Sequence, residues 1–179
     1  MLKRIVCSGF GGQGILTTGI LIAQAGFKNN YQITWYPSYG SEMRGGTANC
    51  IVKLSDEEIA SPYVQEIDIL LTLNEPAIDK FEPKVAAGGW MFVNASLVGP
   101  ERTFRDDINV LKVDAEGLAA KAGNSKGANI AMLGAMLKAT GLFSLESYEA
   151  AMTGYFTEKG KEKFNKLNSL ALHHGYDSV

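Results

Sequence analysis

Leu2–Cys7 is an apolar run carrying the β-branched Ile5 and Val6, and it leads into Ser8-Gly9-Phe10-Gly11-Gly12-Gln13-Gly14. Ile15–Phe27, which follows, is apolar on nearly every helical face, so the opening reads as strand, glycine turn and buried helix. Tyr31–Tyr36 suits a second strand, Pro37–Gly46 is a loop by its Pro and Gly content, and Thr47–Leu54 is a third strand. Ile67–Leu73 and Trp90–Asn94 read as buried strands separated by a Pro-punctuated helix over Glu75–Ala86, and Ile108–Val113 as another strand. After Asp114 the pattern turns helical: Glu116–Ala122, Gly127–Thr140, Ser144–Gly154 with a loose capping box, and an amphipathic Glu158–Gly175. Strands alternating with helices, then helices alone, predict a single α/β domain over residues 1–179. Its expected architecture is a three-layer α/β/α sandwich with a mainly parallel or mixed sheet and a helical C-terminal part.

Composition narrows the function. The 179 residues are 46% hydrophobic, enough for one domain with its own core. Seventeen Lys+Arg against nineteen Asp+Glu leave a net charge of −2. The basic residues are dispersed, so neither nucleic acid nor an anionic membrane surface is an expected partner. The longest apolar stretches, such as Ile130–Leu137, fall short of the roughly 20 residues that span a bilayer, and Lys3 and Arg4 precede only a brief apolar run. Neither a transmembrane segment nor a signal peptide is expected, and a reduced, cytoplasmic setting is. Two cysteines, Cys7 and Cys50, cannot supply the four thiolates of a typical iron–sulfur cluster; on strands they read as small buried hydrophobes. His173 and His174 are adjacent on the last helix and read as a solvated pair rather than a metal site.

Two segments carry candidate chemistry. Gly9-x-Gly11-x-x-Gly14 matches the dinucleotide fingerprint, but that fingerprint needs an acidic residue roughly 20 positions further on, and Ile15–Ser41 contains no Asp or Glu. NAD and NADP are therefore not expected at the turn. What remains open is a backbone cradle for an anion, an interface turn, or glycines that only let strand and helix approach closely. Gln13, with donors and an acceptor, sits at the helix entrance. In the second segment Glu42 and Arg44 lie between Gly40 and Gly45-Gly46, a carboxylate and a guanidinium among residues that permit close approach. They read either as a surface ion pair or as a ligand or subunit contact centred on Arg44. A third feature, Ala128–Thr140, has Asn129, Lys138 and Thr140 as its clearly polar positions, so this helix is either central or interfacial.

Together, Gly11-Gly12-Gln13-Gly14, Pro37-Ser38-Tyr39-Gly40-Ser41-Glu42-Met43-Arg44-Gly45-Gly46, Ile59-Ala60-Ser61-Pro62, and Asn129 with Gly134 make the chain resemble the gamma subunit, or gamma domain, of the 2-oxoacid:ferredoxin oxidoreductases from about Leu2 to Gly175. The resemblance implies an α/β/α domain packed on other subunits. Those subunits would bind thiamine diphosphate with Mg and iron–sulfur clusters, decarboxylate a 2-oxoacid, reduce ferredoxin and release an acyl-CoA. It also implies that this chain contributes to assembly and to the coenzyme A side of the active site. Gly11, Gly12, Gln13, Gly14, Tyr39, Glu42, Arg44, Gly45, Gly46 and Asn129 are the residues it puts there, with no catalytic or metal-binding residue among them. The isolated chain is expected to be inactive and to carry no cofactor. Many pyruvate-type members look to have Arg where this chain has Phe10, which leans the substrate towards 2-oxoglutarate. The competing reading is a stand-alone nucleotide-binding module using the Gly9–Gly14 turn.

Overall fold

A computed structural model describes residues 1–39 and 47–179. In chain order the elements are β1 (Leu2–Phe10), α1 (Ile15–Lys28), β2 (Gln32–Tyr39), β3 (Thr47–Ser55), β4 (Ile67–Thr72), α2 (Glu75–Phe81), β5 (Val85–Asn94), β6 (Asn109–Val113), α3 (Ala115–Lys121), α4 (Ala128–Thr140), α5 (Leu145–Glu158) and α6 (Asn165–Asp177). The 6-stranded sheet has the order β2-β3-β1-β4-β5-β6. β1, β4, β5 and β6 run parallel, while β3 is antiparallel to both of its neighbours, β1 and β2. The sheet is therefore mixed, with one strand reversed.

Alternate strand residues divide between two apolar layers. Ile5, Cys7, Cys50, Val52, Ile69, Leu71 and Phe92 join a large core with α1, α3, α4, α5 and α6. Val6, Leu70, Met91 and Val93 face the other way, onto Ile78 and Phe81 of α2 and the flanking Ile108, Val98 and Phe104. The expected three layers are present and unequal: most helices lie on one face, and one short helix with loop segments covers the other.

The expected central-or-interfacial helix is central. Asn129–Leu137 of α4 are all buried within the chain itself. Its tightest contact is with α6, where a Cβ on Gly134 would run into the Leu172 carbonyl oxygen and one on Gly175 into that of Ala131. The two helices touch backbone to backbone because neither glycine has a side chain.

Three sequence-based boundaries are corrected. Pro37, Ser38 and Tyr39 continue β2, paired with Cys50, Asn49 and Ala48. β2 is an edge strand, so Pro37 can turn its missing N–H outward. The helix expected to reach Ala86 ends at Phe81, and a 3-10 turn over Glu82–Lys84, containing Pro83, leads into β5 at Val85. Pairing then jumps from Ile67–Val85 to Ile69–Trp90 across Gly88, whose φ is +74°. Last, the helix expected over Glu158–Gly175 is broken: α5 runs to Glu158, Gly160 turns at φ +66°, and a 3-10 turn over Glu162–Phe164 precedes α6. Phe164 is consequently exposed.

Candidate functional site

The connection from β1 through α1 leads to β2 on one side of the sheet, whereas that from β4 through α2 leads to β5 on the other. The topological switch point therefore lies between β1 and β4, and in open α/β sheets the crevice at the carboxyl ends of such strands is the usual ligand position. The Gly9–Gly14 turn forms one lip of this crevice and Leu73-Asn74-Glu75 the other.

Gln13 bridges the two lips. Its Oε1 accepts from the Phe10 backbone N–H at 2.6 Å and its Nε2 donates to the Leu73 carbonyl at 3.1 Å. Both ends of the amide are engaged within the chain, so Gln13 holds the turn against β4. Gly9 is required beneath it, because a Cβ there would stand 2.6 Å from Gln13 Oε1 and 2.8 Å from Ile15 Cδ1.

Gly14 is the N-cap of α1 with φ +74°, and its carbonyl accepts from Thr18 N–H at 2.8 Å, Thr18 Oγ1 at 3.0 Å and Asn129 Nδ2 at 3.3 Å. Asn129, 5% exposed, also donates to Thr18 Oγ1 at 3.1 Å. A Cβ on Gly14 would sit 2.6 Å from the Asn129 amide nitrogen, so the α4 side chain and the missing α1 side chain are fitted to each other. Gly12 is different. Its φ is +98°, the left-handed side of the map, yet a Cβ there would meet nothing within 4 Å among the described residues. Gly12 stands next to the first turn of α1, whose N–H groups have no partners within the helix.

Of the residues singled out from the sequence, Gly11, Gly12, Gln13, Gly14 and Asn129 thus gather around the N-terminus of α1. Tyr39 ends β2 on the same edge of the sheet, in one cross-strand row with Ala48 and Gly9. Glu42, Arg44, Gly45 and Gly46 lie outside the described residues. Thr18, Leu73 and Asn74 were not anticipated. Asn74 caps α2, its Oδ1 accepting from Ala77 N–H at 2.9 Å, and its buried Nδ2 has no partner among the described residues. The Asn-Glu-Pro start of α2 is a legible cap signal, whereas Thr18 and the Leu73 carbonyl matter only through tertiary contact.

Elsewhere the titratable groups are mostly tied to structure. Asp114 caps α3, and hydrogen bonds from the Ser96 hydroxyl and the Gly117 N–H hold its carboxyl below the ordinary range. His173 meets Glu149 at 2.9 Å and His174 Nδ1 lies 3.3 Å from the Leu118 carbonyl, so the two histidines are each engaged rather than simply solvated. Among the described residues no three His, Cys, Asp or Glu side chains are placed to hold a metal ion. No described helix is long and apolar enough to cross a membrane.

Comparison with known proteins identifies the family. Residues 4–178 match the pyruvate ferredoxin/flavodoxin oxidoreductase family. The chain belongs to that family. It is 40% identical over 177 residues to ketoisovalerate oxidoreductase subunit VorA of Methanothermobacter thermautotrophicus, covering 96% of this chain and 35% of the relative. The chain thus spans about a third of that relative's length. It is 35% identical to 2-oxoglutarate synthase subunit KorC of Methanocaldococcus jannaschii, with 99% of this chain and 94% of the relative covered. The Pyruvate/ketoisovalerate oxidoreductases common subunit gamma of Thermococcus kodakarensis is 30% identical, covering 88% and 93% of the two chains. Among solved structures, the keto/oxoacid ferredoxin oxidoreductase gamma subunit from Geobacter sulfurreducens superposes with a TM-score of 0.84 at 30% identity over 99% of this chain and 95% of that one. The fold also matches part of a 2-oxoglutarate:ferredoxin oxidoreductase from Magnetococcus marinus, solved with 2-oxoglutarate, coenzyme A and succinyl-CoA bound. There the TM-score is 0.86 at 19% identity, over 99% of this chain and 31% of that one.

Proposed function

We propose that this chain is the gamma-type component of a thiamine diphosphate-dependent 2-oxoacid:ferredoxin oxidoreductase, serving assembly and the coenzyme A side of the active site rather than bond-making chemistry. The observation that carries this reading is the Gly12 turn. A left-handed glycine with no described atom within 4 Å of where a Cβ would stand, at a helix N-terminus on the carboxyl edge of the sheet, suits close approach by a phosphate or by a partner's backbone. Every polar side chain that shapes the turn, Gln13, Thr18 and Asn129, is occupied in holding it still.

The described donor sets do not fit magnesium-bound thiamine diphosphate or an iron–sulfur cluster, since the two cysteines face each other inside the core and no other ligating group joins them. Those groups are assigned to partner subunits, with ferredoxin as the electron acceptor. Coenzyme A does fit the chemistry of the glycine turn. Backbone N–H groups of Gly11, Gly12 and Gly14 with the Arg44 guanidinium are the candidate holders of its anionic part, and Tyr39, Glu42, Gly45 and Gly46 complete the proposed contact. The thiol of coenzyme A supplies the acyl acceptor when bound. The VorA and KorC relatives support a ketoisovalerate-type or 2-oxoglutarate-type substrate, and Phe10 at the rim supports 2-oxoglutarate over pyruvate.

The test is kinetic. Arg44→Lys and Arg44→Ala are compared in the complex reconstituted with its partner subunits, with coenzyme A varied and 2-oxoglutarate, ketoisovalerate and pyruvate offered in turn. A bidentate contact that Lys cannot reproduce makes both variants raise the apparent KM for coenzyme A about tenfold or more, with subunit pull-down intact. Wild-type kinetics and assembly for Arg44→Ala would remove this loop from the site.

A further inference from the structure

Cys7 of β1 and Cys50 of β3 stand directly opposite each other in the antiparallel ladder. Directly opposed Cα atoms in such a ladder are about 4.5–5.5 Å apart, within the roughly 4.4–6.8 Å that a disulfide spans. Both side chains are buried on the same face of the sheet, in the core with α1 and α5. The helix above is shaped around one of them: a Cβ on Gly19 would collide with the Cys50 sulfur and lie 2.8 Å from Trp35 Nε1. Trp35 Nε1 and the Tyr148 hydroxyl are buried without conventional partners among the described residues, the first beside Cys50 and the second near Cys7. The Cys50 thiol lies 3.4 Å from the Ile15 carbonyl and donates to it.

We propose that Cys7 and Cys50 form a redox-active dithiol that a peroxide converts into a cross-strand disulfide between β1 and β3. In the balanced reaction Cys50 sulfur attacks one peroxide oxygen, the O–O bond breaks, the other oxygen departs as water with the thiol proton, and Cys50 is left as a sulfenic acid. Cys7 sulfur then attacks the Cys50 sulfur, forming the S–S bond and releasing the second water. The pair loses two electrons and two protons and hydrogen peroxide is reduced to two waters. Hydrogen bonding with Cys7 and Trp35 draws the Cys50 thiol below its ordinary value, while its hydrogen bond to Cys50 and complete burial push Cys7 well up. The buried Trp35 N–H, which has no conventional partner among the described residues and meets the same point of α1 as the Cys50 sulfur, is a donor placed to steady a thiolate there, which makes Cys50 the attacking sulfur and Cys7 the resolving one.

The position gives the bond a consequence. β1 runs directly into the glycine turn, and Cys7 lines a narrow crevice with Thr18 and Asn129, the two side chains that pin Gly14. A disulfide here stiffens the strand pair at the root of the candidate coenzyme A site and withdraws both thiols from the contacts beneath it.

The experiment uses the full chain, incubated with graded hydrogen peroxide over hours so that local opening admits the oxidant, then denatured for thiol counting and intact mass. The expected result is loss of both thiols together, in a monomer lighter by two hydrogens, reversed by dithiothreitol. Its melting temperature should be raised by roughly 5 °C or more, since the bond closes a long loop. Cys7→Ala and Cys50→Ala should each keep a thiol that forms no internal bond. Persistence of both thiols, independent titration, intermolecular dimers, or oxygen addition as the main product in the wild-type chain would overturn the proposal.

Discussion

Asn129→Asp is an isosteric change whose effect follows from the atoms around it. The Asn129 amide nitrogen faces the Gly14 carbonyl at 3.3 Å and Thr18 Oγ1 at 3.1 Å, and that hydroxyl already gives its hydrogen to Gly14 O at 3.0 Å. The wild-type side chain is a donor surrounded by acceptors. An ionised carboxylate there would present an acceptor to acceptors in a position only 5% exposed. Asn129→Ala, by comparison, removes two hydrogen bonds and leaves Gly14 O satisfied by Thr18, a cost of about 1–2 kcal/mol. Asn129→Asp at pH 7–8 should cost about 3–5 kcal/mol, as for an uncompensated buried charge. The two differ further in pH dependence. Burial without a donor raises the carboxyl above its unfolded value of about 3.9, so the unfolded chain binds fewer protons and stability falls as pH rises. Asn129→Asp should therefore recover on acidification from pH 8 towards 5, when the neutral acid can donate to Gly14 O, whereas Asn129→Ala should not. Urea unfolding at four pH values across that range measures both. Equal destabilisation of the two variants at pH 8, or a carboxyl variant indifferent to pH, would refute the donor assignment and with it the view that Asn129 fixes the turn.

The other expectations are briefer. Gly12→Val should lower stability by only about 1–2 kcal/mol, from the left-handed φ alone because no atom of the described residues is struck, yet depress activity of the reconstituted complex at least tenfold; equal losses would return the turn to a packing role. Gly175→Ala should cost about 2–3 kcal/mol by chemical denaturation, since the methyl meets the Ala131 carbonyl and this outweighs the roughly 1 kcal/mol gained in helix propensity; a neutral result would mean that α6 slides freely on α4. Asp68 is pushed up by burial, but its hydrogen bonds from Arg4, at 2.7 Å and 3.0 Å from the side chain and 2.7 Å from the backbone, hold it below the ordinary 3.8. Its contribution is complete above that value and is lost below it, so Asp68→Asn should flatten the acid limb of the stability curve, as acid titration of circular dichroism would record.

Strand, glycine turn and buried helix were legible because their signals are local: an apolar run, a fixed glycine spacing and a stretch without charge. Edge status is not local, so Pro37 read as a loop although it sits in β2. The early part of β5, Ala86-Ala87-Gly88-Gly89, carries no apolar pattern and falls where the register against β4 shifts, so its place in the strand shows only when β4 is alongside. Gly160 lies inside a long amphipathic stretch, so the break at its positive φ is hidden until the backbone is traced. At the candidate site, Gln13 and Asn129 stand out in the sequence as polar residues, but their orientation depends on Leu73 and Gly14, 60 and 115 positions away. The Cys7–Cys50 pairing is of the same kind, since a shift of one residue in the β1–β3 register would turn one sulfur to the opposite face.

These long-range ties explain why the turn can be glycine-rich without being loose. Gly9, Gly12 and Gly14 each relieve a different constraint, respectively the Gln13 amide beneath, the reversed φ at the tip, and the Asn129 amide against α1. Glycine by itself would leave this segment with many conformations. Gln13 removes that freedom from the β4 side and Asn129 from the α4 side, while α4 is itself seated on α6 through Gly134 and Gly175. The polar side chains are thus directed inward and the backbone outward. A surface of that kind recognises an anion or a facing main chain through N–H groups already fixed in place, so little ordering entropy is lost on contact. At the rim of the turn Phe10 is partly exposed while its backbone N–H is held by Gln13, so an apolar side chain stands beside those fixed N–H groups.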